Sequence, residues 1–134
     1  MAGYSGTPLP NKLGITEGKH FATLSAPDGF ADTLGELPLG ADWEGQVRPG
    51  LDVVVAFFTE RAALASSWPT LTAAVAPNGT VWIAWPKRAS GVPTDITEDV
   101  LRDELLPSGW VDNKVCAIDA TWSGLRFALR RELR

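Results

Sequence analysis

Cysteine and histidine occur once each in the 134 residues, as Cys116 and His20. A lone thiol forbids an intrachain disulfide, and nothing in its usage points to an oxidising compartment. One imidazole and one thiol cannot make a closed zinc site, so no metal centre is expected. A Ser-His-Asp hydrolase is disfavoured for a related reason: His20 falls at the amino-terminal start of its strand, the wrong end of a parallel sheet for a catalytic base. Positive charge is also in deficit. Lys and Arg number 12 against 16 Asp and Glu, a formal net charge of −4, which argues against an electrostatic grip on nucleic acid or an anionic membrane. The basic residues Arg126, Arg130, Arg131 and Arg134 read as a solvated face near the end of the chain. The longest apolar run, Val53 to Phe58, falls far short of the roughly 20 residues of a membrane helix. Met1 to Lys12 lacks the basic-then-apolar pattern of a secretory signal. A cytoplasmic location is the expectation.

The usual phosphate and cofactor signatures are missing too. The loop after the first predicted strand is Ala26-Pro27-Asp28-Gly29-Phe30 rather than G-x-G-x-x-G, and Pro27 removes an amide that would face a pyrophosphate. No G-x-x-x-x-G-K-[ST] segment is present, and Ser90 lacks the flanks of a nucleophile elbow. The acidic, glycine-rich loop of methyltransferases is equally degraded, although Asp42 or Glu44 stands where a ribose-binding carboxylate would.

What is present is ordinary core material, 45% hydrophobic, with six Trp that read mostly as core. Residues 1–18 form a lead-in arm, rich in Gly, Pro, Ser and Thr, with one expected helical turn packed on the domain of residues 19–134. His20 to Ser25 reads as a strand, and Phe30, Leu34 and Leu37 as a helical stripe. Asp42 to Val47 reads as a polar edge strand. Leu51 to Phe58 is a near-continuous apolar run rich in β-branched residues, as expected of a parallel strand buried on both faces. Thr59 is placed to cap a helix carrying Leu64, Trp68, Leu71 and Val75, which Pro69 should kink or split. Thr80 to Trp85 is a further strand. Asp95 and Glu98 have capping-box spacing before Ile96, Val100, Leu101 and Leu105. Trp110 to Ile118 and Trp122 to Arg131 form a closing antiparallel hairpin, in which Leu125, Phe127 and Leu129 alternate with Arg126, Ala128 and Arg130.

This alternation predicts an α/β fold: an open, mostly parallel Rossmann-like sheet with helices on both faces and a C-terminal antiparallel hairpin, a shortened methyltransferase-type domain. In such sheets ligands bind outside the carboxyl ends of the strands. The loops there supply the candidate ligand-binding residues Asp28, Thr59, Lys87, Arg88, Ser90, Asp119, Trp122 and Ser123, with Trp85 and Trp122 as stacking walls. Of these, Asp28, Lys87 and Asp119 are the candidate catalytic groups. Lys87, Arg88 and Ser90 precede a helix N-terminus, an arrangement that favours an anion, although Asp95, Glu98 and Asp99 already supply negative charge there. Asp95 and Asp99, four apart on one helix, are either solvated carboxylates or a weak cation site. Cys116 lies in an apolar strand and reads as an inert core thiol.

Several stretches also resemble the bacterial, actinobacterial-type family DUF3052. They are Gly3-Tyr4-Ser5-Gly6-Thr7-Pro8-Leu9, Ala26-Pro27-Asp28-Gly29-Phe30, Trp85-Pro86-Lys87 with Ala89-Ser90-Gly91, Thr94-Asp95-Ile96-Thr97-Glu98-Asp99, Lys114-Val115-Cys116-Ala117 and Trp122-Ser123-Gly124-Leu125. The resemblance spans nearly the whole chain; it implies one domain and brings no chemistry with it.

The degraded cofactor loops lead to a first functional expectation, a non-catalytic binding or regulatory domain that engages a protein partner or a small anionic metabolite. The alternative is a minimal S-adenosylmethionine-dependent methyltransferase, with Asp28 or Asp119 as base and Lys87 positioning the substrate. A third reading is an oligomerising structural subunit, a homodimer joined through the edge strand at Asp42 to Val47 and the amino-terminal arm.

Overall fold

A computed structural model describes residues 6–134. The strands are β1 (His20–Leu24), β2 (Asp42–Glu44), β3 (Val53–Phe57), β4 (Thr80–Pro86), β5 (Trp110–Ala117) and β6 (Trp122–Leu129). The helices are α1 (Leu9–Lys12), α2 (Phe30–Leu34), α3 (Arg61–Val75) and α4 (Glu98–Leu105). Among the described residues one sheet forms in the order β2-β1-β3-β4-β6-β5. The first four strands run parallel, while β6 inserts antiparallel between β4 and β5. The α/β class, the mostly parallel sheet and the closing hairpin are therefore as expected.

Strand periodicity divides the core into two layers. Ala22, Val54, Ala56, Val81, Ile83, Leu125 and Phe127 face α3 and α4, where they meet Leu64, Trp68, Leu71, Leu101 and Leu105. Phe21, Val53, Val55, Phe57, Trp82 and Ala84 face the other way, onto Leu13, Ile15, Phe30 and Leu34. The amino-terminal arm is thus part of the wall. Leu13 and Ile15 are fully buried, and the buried Trp82 indole donates to the Leu13 carbonyl at 2.8 Å.

Four local expectations need correction. Pro69 does not split its helix: α3 runs unbroken over Arg61–Val75. The ring sits on the exposed side, while Leu64 and Trp68 before it and Leu71 and Val75 after it are buried on one stripe. Packing of that stripe outweighs the ~3 kcal/mol penalty of an interior proline. Thr59 does not cap α3, whose N-cap position is Glu60 without a side-chain bond; the Arg61 amide is instead met by the Asp95 carboxylate at 2.7 Å. With Asp95 so occupied, α4 starts later, at Glu98, capped by the Thr97 hydroxyl accepting from the Val100 amide at 3.2 Å. The polar edge strand is shorter than Asp42 to Val47, ending at Glu44. No helix among the described residues is long and apolar enough to cross a membrane.

Candidate functional site

The strand order reverses between β1 and β3, and the loops at the carboxyl ends of the parallel strands make one rim. Its polar groups are largely spent on one another's backbone. The Lys87 ammonium donates to the Asp119 carbonyl at 2.7 Å, and the Lys87 amide to the Thr121 carbonyl at 2.8 Å. The Asp119 carboxylate accepts the Thr121 and Trp122 amides, both at 2.8 Å, which closes the β5–β6 turn. Ser90 folds back, its hydroxyl donating to the Lys87 carbonyl at 2.6 Å and accepting from the Val92 amide at 3.2 Å. The Thr59 carbonyl accepts from the Thr94 hydroxyl at 2.6 Å, tying the loop after β3 to the loop before α4.

The expected site residues thus fall into two groups and some outliers. Lys87, Ser90, Asp119 and Trp122 come together, and Thr59 joins Thr94, Asp95 and Arg61. Asp28 is exposed on the loop after β1, and Arg88 is exposed in the Arg88–Ser90 turn next to Lys87; among the described residues no side-chain hydrogen bond or ion pair ties either one to these groups. Ser123 stands inside β6, opposite Trp85. That pairing corrects the stacking-wall expectation: Trp85 is buried in the α3/α4 layer, whereas Trp122 packs on the opposite layer, so the two indoles cannot sandwich one ligand.

Trp122 instead ends a row of aromatic contacts. Phe57 meets it edge-on at 5.1 Å, Phe30 meets Phe57 at 5.1 Å, and Trp43 meets Phe30 at 5.9 Å and stacks on Phe21 at 5.6 Å. These rings cover the α1/α2 face up to the rim. The loop between β1 and α2 turns without the glycine expected of a phosphate cradle: Ser25 itself takes φ +58°, and Gly29 takes φ +84° at the start of α2. A cleft of about 510 Å³ opens nearby, lined by Pro8, Leu9, Lys12, Thr33, Ile118 and Asp119. Beside it Cys116 lies buried, its thiol pushed up by burial and pulled down less strongly by Lys12, Lys114 and Lys87.

At the other end of β1 lies a group of side chains that sequence reasoning did not bring together. The parallel register sets His20 opposite Asp42 and Ala22 opposite Glu44. The His20 ring meets the Glu44 carboxylate at 2.8 Å and Asp42 at 3.4 Å. Arg48 grips the same Glu44 carboxylate with two nitrogens. That hydrogen-bonded guanidinium, aided by His20, holds the Glu44 carboxyl below the ordinary range against the opposing effect of burial. The signal for this group was an acidic pair two apart in a short edge strand, whose meaning depended on the register with β1.

No family model matches the sequence, and no curated protein does. Solved structures match in fold. A S-adenosylmethionine-dependent methyltransferase from Aquifex aeolicus superposes with a TM-score of 0.61 at 15% identity, over 87% of this chain and 85% of that one. The DhpI–SAH complex gives 0.57 at 14%, over 92% and 83%. The magnesium protoporphyrin IX methyltransferase of Synechocystis PCC 6803, with bound SAM, gives 0.55 at 9%, over 90% and 74%. At these identities the likeness is one of fold, and the chain has the Rossmann-like fold of S-adenosylmethionine-dependent methyltransferases.

Proposed function

We propose that this chain is a methyltransferase-fold domain that binds rather than catalyses, and that its carboxyl-edge rim engages a small anionic metabolite or a protein partner. One observation carries the reading: two of the three candidate catalytic groups, Lys87 and, through Oδ1, Asp119, are engaged in closing the β5–β6 turn. A general base needs a lone pair directed at substrate, and the hydrogen-bonded Asp119 oxygen is already directed at two amides. The anionic preference is supported by the rim cleft, where Lys12 stands at the edge of apolar walls and Lys114 and Lys87 add positive charge around Cys116.

S-adenosylmethionine fits these residues poorly. Pro27 lacks the amide that the cofactor loop would offer, and Glu44, the last residue of β2, has its carboxylate held by Arg48 and His20. Phe30, Phe57 and Trp122 pack against one another beside the loop that would receive the ligand.

The fold likeness favours a second reading, a minimal methyltransferase in which the exposed Asp28 serves as base and Lys87 positions the substrate. Methyl transfer from S-adenosylmethionine to cell-extract acceptors separates the two. The binding reading expects no turnover above that of heat-denatured protein. Turnover that disappears in Lys87→Ala, Asp28→Asn or Asp119→Asn overturns it.

A further inference from the structure

We infer that His20, Asp42 and Glu44 form an open three-ligand site for a divalent transition ion of the zinc class, at the β1–β2 edge and independent of the rim. The three donor atoms, one imidazole nitrogen and two carboxylate oxygens, all lie within 4.8 Å of one another. Donors ~2.0–2.1 Å from a tetrahedral zinc stand roughly 3.3 Å apart, and the separations from His20 Nδ1 of 2.8 Å to Glu44 and 3.4 Å to Asp42 bracket that value. An ion that touches all three must hold the Asp42 and Glu44 oxygens within ~4.1 Å of each other, twice the zinc–oxygen distance, and their side chains can swing to meet it.

The register explains why the cradle exists. Successive side chains of a strand alternate faces, so His20 and Ala22 on β1 share a face with their partners Asp42 and Glu44 on β2. His20 is held at this position by its backbone: its amide donates to the Asp52 carboxylate at 2.9 Å, and its carbonyl accepts from the Asp52 amide at 2.8 Å. The Glu44 side chain is 16% exposed and forms the inner wall, whereas His20 and Asp42, at 48% and 58%, leave the outer side open to water as a fourth ligand.

Charge points the same way. Asp42, Glu44 and Asp52 bring three carboxylates to one guanidinium, that of Arg48, an excess of negative charge that a divalent ion would balance. A nitrogen ligand beside two oxygens suits zinc and its neighbours better than magnesium or calcium, which favour oxygen alone. Arg48 is the competitor. Its NH2 group shares Glu44 Oε2 with the imidazole, while its Nε holds Oε1, so an arriving ion displaces one of its two bonds.

The test is titration of the full chain, stripped with chelator, with Zn²⁺ and separately with Mg²⁺. Calorimetry gives the affinity, and proton NMR follows the imidazole signals, which are unambiguous because the chain has one histidine. The expected result is one Zn²⁺ per chain, shifted signals from His20, at least tenfold weaker binding in His20→Ala, and several-fold tighter binding in Arg48→Ala. Absence of Zn²⁺ binding overturns the inference, as does binding that leaves the imidazole signals in place. Undiminished affinity in His20→Ala, or in Asp42→Asn should His20→Ala not fold, means an adventitious ion only. Equal affinity for Mg²⁺ overturns the zinc-class assignment. Loss of affinity in Arg48→Ala matching that in His20→Ala would show that the side chains hold one another and not an ion.

Discussion

The two ends of the parallel strands treat their polar residues in opposite ways. At the carboxyl rim, where this fold ordinarily places a ligand, Lys87, Ser90 and Asp119 bond to main-chain groups of the rim loops. At the amino end of the β1–β2 edge, His20, Asp42, Glu44 and Arg48 bond to one another's side chains. A polar side chain satisfied by backbone holds a loop in shape, and its removal is felt as instability. One satisfied by another side chain at a half-exposed edge remains available for exchange with a ligand. The difference says which polar residues here are architecture and which are free to do chemistry.

Four substitutions test that difference between the two ends of the strands. The largest effect is expected from Gly79→Ala, at the turn leading into β4. A Cβ there would lie 2.7 Å from the backbone oxygens of Asp52 and Val75, so both flanking segments must shift. The expected loss is about 3 kcal/mol in chemical denaturation, at the upper end of overpacking penalties; an unchanged midpoint would mean that the amino edge is looser than drawn here. Asp119→Ala comes next. It strips two amides of a charged acceptor, for an expected loss of about 2 kcal/mol, whereas a stability-neutral change with lost ligand binding would reassign Asp119 from scaffold to site. Asp95→Ala removes the acceptor for the Arg61 amide and is expected to cost about 1 kcal/mol, the scale of a lost helix cap. The smallest change has the opposite sign. Ser25→Gly relieves the left-handed backbone at φ +58° and is expected to stabilise by at most about 1 kcal/mol, because glycine's greater freedom in the unfolded chain offsets part of the gain.

Cys116 adds a pH dependence. Burial raises its thiol pKa in the folded state, so folding favours the protonated form. That contribution is fully present below the unfolded thiol's pKa, about 8.5, and is lost as pH rises through the folded value. Alkylation at pH 8 is expected to be slow in the folded protein and fast in denaturant. Equal rates would contradict the burial.

The sheet was legible because its strands carry their own evidence: Val53 to Phe57 is apolar on both faces, and Leu125, Phe127 and Leu129 alternate against polar or small neighbours. The helix ends were less so. Asp95 has the spacing to cap its own helix, but it accepts from the first amide of the neighbouring α3, 34 residues earlier in the chain, a choice that only tertiary proximity decides. Trp85 and Trp122 both fall at the rim in sequence, yet their strand positions send them to opposite layers. The rim's location could be read from topology alone. That Lys87 and Asp119 serve each other's loops could not, since the contact joins residues 32 apart. The His20 cluster stayed hidden because β2 is three residues long, with a single apolar residue, Trp43, between Asp42 and Glu44, too little hydrophobic pattern to specify its register with β1.

The central claim is that the rim of this methyltransferase-type fold serves a ligand other than S-adenosylmethionine, with Lys87 and Asp119 as its scaffold. Thermal unfolding in saturating S-adenosylhomocysteine tests it most directly, because a ligand at a hundred times its dissociation constant adds about 2.7 kcal/mol and moves the midpoint by several degrees. The account predicts an unchanged midpoint with S-adenosylhomocysteine. A saturable shift of several degrees, reduced in Asp28→Asn, would contradict it and restore the cofactor to the rim.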